Sequence, residues 1–274
     1  RYGILQRPEH AFRRSWEKKS AMDIKDSVQR QFGAVAANYA TSAVHVSGPD
    51  LQAMLAAAGL RGAERVLDAG CGTGHTALAF AAHVAEVVAI DLTEAMLAQG
   101  RKLASQRGLA NITFKRGDVE RLPYADASFD VVTSRYSAHH YPHPQQALAE
   151  FARVLRPGGL LLLADVVSPE PPAHDTFLNA IELLRDPSHV RDHTVEQWLR
   201  MAAGAGFSAE PAGHWPLRLE FESWVARMNT PFLAITQIRT LIDGAPRDLR
   251  AALAIGEGYS FTVPTALIRG VKTL

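Results

Sequence analysis

The chain has 274 residues, of which 47% are hydrophobic and 21% are charged, and its formal net charge is +1. This composition fits one globular domain of ordinary core size with additions, and it excludes an intrinsically disordered chain. A net charge so near zero gives no broad electrostatic basis for binding nucleic acid or an anionic membrane. The one cysteine, Cys71, excludes an intramolecular disulfide and a zinc site built from several cysteines.

The N-terminal stretch has neither the apolar core of a signal peptide nor an apolar run approaching the roughly eighteen residues of a membrane helix. No other stretch of the chain has such a run, so we expect a cytoplasmic protein without a membrane partner. Residues 1–21 are basic and precede Met22, which predicts an upstream extension or an expression remnant. An ordered arm that packs on a neighbouring molecule is the alternative.

The first predicted element is a helix from Asp26 to Tyr39, where apolar residues recur at helical spacing. A second amphipathic helix covers residues 51–60. Next comes a predicted strand that includes Val66 and Leu67, followed by three glycines at alternate positions and a helix over residues 76–82.

The glycines at positions 70, 72 and 74 predict a turn that holds a ligand rather than an ordinary strand-to-helix connection. Glycine tolerates positive φ and lets a ligand approach the backbone, while the following helix begins with unpaired N–H groups. Residues 72–77 also fit the dinucleotide fingerprint G-x-G-x-x-G/A, so a nicotinamide or flavin is an alternative. Asp68 argues against it, because a carboxylate there would repel a pyrophosphate but suit a cationic ligand.

Further strands are predicted over residues 86–91, 129–134 and 160–165, with helices between them and a tight turn over residues 156–159. Residues 112–123 predict another strand followed by a loop, with Asp118 at the end of that strand. This alternation predicts an α/β fold with a doubly wound, mostly parallel sheet covered by helices on both faces. Gly70, Asp91, Asp118 and Ser134 all fall at the carboxyl ends of strands, where such sheets bind ligands. Asp91 follows the glycine turn at the spacing of an acid that binds ribose hydroxyls, with helix capping as the alternative. The late strands, from Phe207 and over residues 259–270, predict an antiparallel edge.

Three segments carry a resemblance to a known family. Residues 68–74, DAGCGTG, resemble the D/E-x-G-x-G-x-G motif of class I S-adenosylmethionine-dependent methyltransferases. Residues 32–39 resemble the Phe-x-x-x-Ala-x-x-Tyr segment of their N-terminal lids, and VLRPGGL at residues 154–160 resembles the ubiquinone/menaquinone-biosynthesis branch. The resemblance spans residues 28–272 and implies a seven-stranded sheet, an N-terminal helical lid and a helical insertion near the C-terminus.

The resemblance implies S-adenosyl-L-methionine as the cofactor and divides the chain into functional segments. Those segments are lid helices (22–60), a cofactor-binding core (61–168), a substrate cover with late helices (169–258) and a terminal strand (259–274). Asp118 is expected to bind the adenine amino group, with Val119 beside the ring. The complete set of cofactor-binding residues expected on this basis is Tyr39, Asp68, Gly70, Gly72, Gly74, Asp91, Leu92, Asp118, Val119 and Ser134.

Candidate catalytic residues follow the fourth predicted strand. His139 and His140 can titrate near neutral pH, and Arg135 is placed to fix a substrate anion. Adjacent residues usually point in different directions, so we expect at most one of the two histidines to face the transferred methyl group. A purely structural role for both is the alternative. We expect no metal, because no acidic or cysteine ligand accompanies them at the usual spacing.

The predicted function is methyl transfer to a small, aromatic or heteroaromatic metabolite. Trp198, Trp215, Trp224 and Phe232 are available to line an apolar pocket, and His189 and Arg191 to contact a polar substrate if their loop folds over it. The Asn/Asp-Pro-Pro-Tyr signature is absent, which argues against DNA adenine or protein glutamine as acceptors. A cofactor-dependent cyclisation and a nonenzymatic regulatory subunit are the alternatives, and a homodimer is left open.

Overall fold

The computed structural model describes residues 23–273, so the extension predicted for residues 1–21 lies outside it. The strands are β1 (Arg65–Ala69), β2 (Glu86–Asp91), β3 (Ile112–Arg116), β4 (Phe129–Arg135), β5 (Leu155–Val166), β6 (Phe207–Leu219) and β7 (Phe261–Lys272). The helices of the first half are α1 (Ile24–Ala40), α2 (Ala43–Val46), α3 (Pro49–Ala58), α4 (His75–Ala81), α5 (Glu94–Gln106) and α6 (Pro144–Val154). Those of the second half are α7 (Pro172–Arg185), α8 (Val195–Gly204), α9 (Phe221–Arg227), α10 (Phe232–Asp243) and α11 (Arg247–Ala252).

The seven strands form one sheet in the order β3-β2-β1-β4-β5-β7-β6. Strands β1 to β5 are parallel to one another, whereas β7 is antiparallel to both β5 and β6. The predicted doubly wound α/β fold, its seven strands and its antiparallel edge are therefore confirmed. The order reverses beside β1, which places the glycine turn at the position where open α/β sheets bind ligands.

The sheet is buried on both faces, which explains why its inner strands are apolar along their whole length. Leu67 and Ile90 pack on one face with α6 and α8, while Val66 and Val87 pack on the other with α3 and α4. A third buried cluster joins the helices after β5, and Trp224 is at its centre with 1% of its surface exposed. No helix within residues 23–273 is long and apolar enough to span a membrane.

The structure differs from the prediction at the start of β5. The tight turn expected over residues 156–159 is part of an irregular strand that already begins at Leu155. Phe129 pairs with Leu155, and the register then shifts so that Val131 pairs with Leu160. Gly158 absorbs this irregularity with a φ of +74°, a conformation that residues with a Cβ rarely adopt.

Candidate active site

A cleft of about 870 Å³ lies at the carboxyl ends of β1, β2 and β4, beneath α1. Seven of the ten residues expected to bind the cofactor line it: Tyr39, Gly70, Gly72, Asp91, Leu92, Asp118 and Val119. Two of the three predicted catalytic residues, Arg135 and His140, line it as well.

The glycine turn is shaped by contacts that exclude side chains. Gly70 has a φ of +66°, and a Cβ there would lie 2.5 Å from the Ser137 hydroxyl oxygen and 2.9 Å from that of Tyr141. Gly74 has a φ of +81°, and its Cβ would lie 2.7 Å from the ring of Phe114. Gly72, in contrast, has open space where a Cβ would be. The turn is therefore packed tightly behind Gly70 and Gly74 and open at Gly72.

Asp91 holds the turn from the neighbouring strand. One carboxylate oxygen accepts a hydrogen bond from the Gly72 amide at 2.8 Å, and the other accepts one from the Thr93 amide at 2.8 Å. Burial raises the pKa of Asp91, and the two backbone hydrogen bonds oppose that rise. Each oxygen keeps a second lone pair, so the carboxylate can still accept hydrogen bonds from a ligand.

Three residues expected to bind the cofactor do not line the cleft. The carboxylate of Asp68 is 1% exposed and lies behind the turn, where it accepts hydrogen bonds from the Ala77 amide and the Thr133 hydroxyl. Its burial raises its pKa to about 6. Ser134 is buried in a hydroxyl cluster, and Gly74 is covered by a ring, as described above. These positions correct the expectation of direct contact and give all three residues a role in shaping the turn.

The far end of the cleft is closed by an ion pair from α1. Lys25 Nζ lies 2.6 Å from an Asp118 carboxylate oxygen and 2.5 Å from a Glu120 oxygen. The side chains of Lys25 and Asp118 are only about a quarter exposed, at 25% and 29%. Asp118 is thus engaged by the predicted lid, which ties the position of α1 to the residue expected to bind adenine.

A second cavity of about 530 Å³ adjoins the first. The two share five lining residues: Phe32, Tyr39, His45, Tyr136 and His140. The remaining wall is supplied by the end of β5, by β6, and by α7 and α9 of the insertion. A small molecule in the second cavity would therefore contact aromatic rings and would adjoin whatever occupies the cleft.

His139 lines the second cavity and is held by Asp165 at the end of β5. The histidine Nδ1 lies 2.7 Å from one Asp165 oxygen, and the backbone amides of Ala138 and His139 donate to the other oxygen. Burial alone would lower the pKa of His139, but the charge and hydrogen bond of Asp165 raise it to about 9. The His139 ring is therefore a cation at neutral pH.

His140 has the opposite electrostatic character, although its ring centre is only 4.2 Å from that of His139. Its Nδ1 donates to the Ser188 carbonyl at 3.0 Å, and Phe32 packs edge-on against the ring. Burial and the adjacent charge of His139 lower the pKa of His140 to about 4. The expectation that both histidines titrate near neutral pH does not hold, because Asp165 raises the pKa of His139 while burial and the charge of His139 lower the pKa of His140.

Arg135 lines the cleft but is held by the protein itself. Its Nε donates to Asp50 of α3, and its Nη1 donates to the His45 carbonyl at 2.9 Å. The guanidinium also lies over the ring of Tyr136, 4.9 Å from the ring centre. These contacts fix the segment between α1 and α3 against β4, which is a positioning role rather than the anticipated grip on a substrate anion.

Several residues assigned to the substrate pocket lie elsewhere. His189 is buried and contacts Asn179, while Arg191 forms an ion pair with Asp175, and neither lines either cavity. Phe232 is 82% exposed on α10. Of the four aromatic residues named for the pocket, Trp224 is the one that lines the second cavity.

Sequence reasoning missed Asp165, the acid that affects the pKa values of His139 and His140. It also missed most of the residues that line the second cavity. Asp165 ends a run of four leucines and an alanine, so it carries the same signal that identified Asp91: an acid at the carboxyl end of a buried strand. No comparable signal marks Glu182, Arg185 and Arg227, because they come from the irregularly spaced helices of the insertion.

Comparisons with known proteins identify the family and the fold of this chain. A family model described as a methyltransferase domain matches residues 67–163. The uncharacterized methyltransferase YcgJ of Bacillus subtilis is 37% identical over 246 residues, which cover 88% of this chain and 97% of YcgJ. The crystal structure of YcgJ superposes with a TM-score of 0.79 over 82% of this chain and 98% of that one, at 36% sequence identity.

Two further relatives extend the comparison. YafE of Escherichia coli is 41% identical over 199 residues, or 73% of this chain and 96% of YafE. A ubiquinone/menaquinone biosynthesis C-methyltransferase, UbiE of Ectopseudomonas mendocina, is 39% identical over 127 residues, or 43% of this chain and 50% of UbiE. The chain belongs to the class I S-adenosylmethionine-dependent methyltransferases, as the sequence motifs predicted, and the family implies S-adenosylmethionine as its cofactor.

The cleft has features that fit this cofactor. Two buried atoms on its wall, His75 Nδ1 and Thr93 Oγ1, have no hydrogen-bond partner among the described residues. His75 Nε2 faces the Tyr39 carbonyl at 3.2 Å, so Nε2–H donates and Nδ1 keeps its lone pair. Burial lowers the pKa of His75 and keeps that lone pair available. An acceptor nitrogen, a carboxylate at Asp91 and an open glycine backbone suit a ligand with an ammonium group and ribose hydroxyls.

Proposed function

We propose that this protein transfers a methyl group to a small aromatic or heteroaromatic metabolite. The observation that carries the proposal is the junction of the cleft with a second cavity through five shared residues, all of which have aromatic rings that pack against one another at this junction. Aromatic walls favour a planar acceptor, because offset and edge-on ring contacts stabilise it beyond simple burial. Methyl transfer needs mainly that an acceptor be aligned in this way with the cofactor.

S-adenosylmethionine, when bound, supplies an electrophilic methyl group on a sulfonium. In the proposal, Gly72, His75, Asp91 and Asp118 bind the cofactor. His140 lines both cavities and is neutral at neutral pH, so it is the histidine able to accept a proton from the acceptor. His139, a cation on the wall of the second cavity, stabilises negative charge on the acceptor.

Helix α1 excludes water from both cavities in this proposal. Phe32 and Tyr39 lie on the shared wall, and the Tyr39 hydroxyl contacts the Met228 sulfur at 3.0 Å. The amide of Gln31 donates to the Met228 carbonyl at 2.8 Å, which fastens the same helix to the end of α9. Helix α1 therefore contacts strand ends, the carboxylates of Asp118 and Glu120, and α9. In this proposal it is a lid that must open for ligands to enter.

The proposal is tested first by calorimetric titration with S-adenosylhomocysteine, with NAD as the parallel control. Binding of S-adenosylhomocysteine alone supports the cofactor assignment, and binding only of NAD, or of neither ligand, contradicts it. A screen of aromatic hydroxyl, amine and activated-carbon acceptors then follows the release of S-adenosylhomocysteine. Acceptor conversion without S-adenosylhomocysteine release favours the cyclisation alternative, and binding without any turnover favours the regulatory one.

A further inference from the structure

Two arginines, Arg185 and Arg227, line the second cavity, and they differ in the carboxylates around them. Glu182 lies 3.4 Å from Arg185, and His139 is paired with Asp165, so these four groups offset one another. Asp192 is buried, which raises its pKa well above the ordinary value and favours its neutral form. Arg227, in contrast to Arg185, forms no ion pair with a carboxylate among residues 23–273.

The guanidinium group of Arg227 makes fewer hydrogen bonds than it can donate. Its Nη1 donates to the Ser42 hydroxyl at 3.2 Å, but its Nε is buried with no hydrogen-bond partner in the described part of the chain. Burial and the nearby charge of Arg185 lower the pKa of Arg227. A buried guanidinium nitrogen without a partner costs free energy unless a ligand supplies an acceptor.

Arg185, the other arginine that lines this cavity, has its guanidinium group held by contacts within the protein. Arg185 donates from Nε to the Trp224 carbonyl at 3.0 Å, and its guanidinium lies 5.1 Å from the centre of the Trp224 ring. Arg227 follows Trp224 by three residues on α9, so both guanidinium groups and the indole belong to one side of the cavity. That side presents positive charge next to aromatic surface.

We propose that the second cavity binds a planar acceptor carrying an anionic oxygen group, a carboxylate or a phosphate, and that Arg227 binds this group. The inference rests on the proposed function, because it specifies the chemical class of the acceptor. The planar fork of a guanidinium matches both carboxylate and phosphate oxygens, and low exposure strengthens the attraction. The aromatic body of the acceptor packs against Tyr39, Tyr136 and Trp224, while its anionic end satisfies the unpartnered nitrogen.

The test uses three probes with the same ring system: 2-naphthoate, 2-naphthyl phosphate and the uncharged 2-naphthamide. Each is titrated calorimetrically into the full chain with and without saturating S-adenosylhomocysteine. We expect at least one anion to bind about tenfold or more tightly than the amide, since charge-assisted hydrogen bonds exceed neutral ones. Whichever anion binds more tightly identifies the source of the anionic group.

Substitutions then assign the effect to Arg227. Arg227→Gln should weaken binding of the preferred anion about tenfold or more while changing 2-naphthamide binding less than about twofold. Arg227→Lys keeps the charge and should retain most of the preference. Arg200→Gln is the matched control, because that arginine is on α8 with 62% of its side chain exposed and lines neither cavity.

The outcomes separate this inference from the proposed function. Equal or absent binding of the anions and the amide overturns the inference, and so does an anion preference that survives Arg227→Gln. Binding of S-adenosylhomocysteine reports the cofactor site independently, and an unchanged affinity in Arg227→Gln shows that the variant is folded. Loss of anion preference with intact S-adenosylhomocysteine binding therefore supports the role of Arg227, whatever the result of the acceptor screen.

Discussion

Replacing Asp165 by asparagine tests the electrostatic separation of the two adjacent histidines. Asp165 is 1% exposed and accepts hydrogen bonds from three backbone amides and from the His139 ring. Asp165→Asn keeps the size of the side chain but removes the charge that holds His139 as a cation. Burial then acts without opposition from Asp165, so we expect the pKa of His139 to fall below its ordinary value. The pKa of His140 should rise, because one of the charges that lowers it is lost.

The size of the effect follows from the pKa of His139. A change from 6.5 in the unfolded chain to about 9 in the folded protein corresponds to about 3 kcal/mol of stability. Because the folded pKa is raised, this stability is fully present below pH 6.5 and is lost as the pH rises through about 9. The difference in free energy of unfolding between the wild type and Asp165→Asn should therefore shrink by about 3 kcal/mol between pH 6 and pH 10.

Urea denaturation at several pH values, followed by tryptophan fluorescence, measures the free energy of unfolding. Histidine NMR titration measures the two pKa values directly. Asp126→Asn is the matched control, because that carboxylate is 78% exposed and its removal should leave both histidines unaffected. The reasoning fails if His139 titrates at the same pH in the wild type and Asp165→Asn, or if their stability difference is constant from pH 6 to pH 10.

Three further predictions concern the cleft. Asp91→Asn should weaken S-adenosylhomocysteine binding at least about tenfold by calorimetry, since it disturbs the carboxylate that holds the turn and faces the ligand; an unchanged affinity would remove Asp91 from the site. Gly74→Ala should lower the free energy of unfolding by about 1–3 kcal/mol in urea, because its Cβ would overlap Phe114. Gly108→Ala, also at positive φ but with open space, should cost less, and equal losses would contradict the overlap. His140→Gln should lower kcat about a hundredfold or more without changing S-adenosylhomocysteine affinity, and wild-type turnover would exclude it as the base.

The sheet and the glycine turn were predictable because each depends on a local pattern. Buried parallel strands are continuous apolar runs, as in residues 87–90 and 160–164, and the turn requires residues that tolerate positive φ. The orientation of Asp68 was not predictable in the same way. It is the fourth residue of β1, on the face shared with Val66, so its carboxylate turns towards β4 and α4 rather than into the cleft. Whether the Asp68 side chain points into the cleft or towards β4 and α4 depends on the residue at which β1 ends. No sequence pattern identifies that residue.

The second cavity could not be predicted, because its chemistry arises from contacts between distant parts of the chain. His139 and His140 are adjacent and chemically identical in sequence, yet one faces Asp165, 26 residues later, and the other contacts the Ser188 carbonyl, 48 residues later. Those two partners, together with burial, decide which ring is a cation. Arg227 likewise reaches the wall of the second cavity only because α9 carries it there, and its Nε has no hydrogen-bond partner among the described residues. The glycine turn carries its chemistry in consecutive residues, whereas the second cavity acquires its chemistry when the insertion packs against the sheet. If the proposed function holds, substrate preference can therefore change through the insertion while the cleft stays the same.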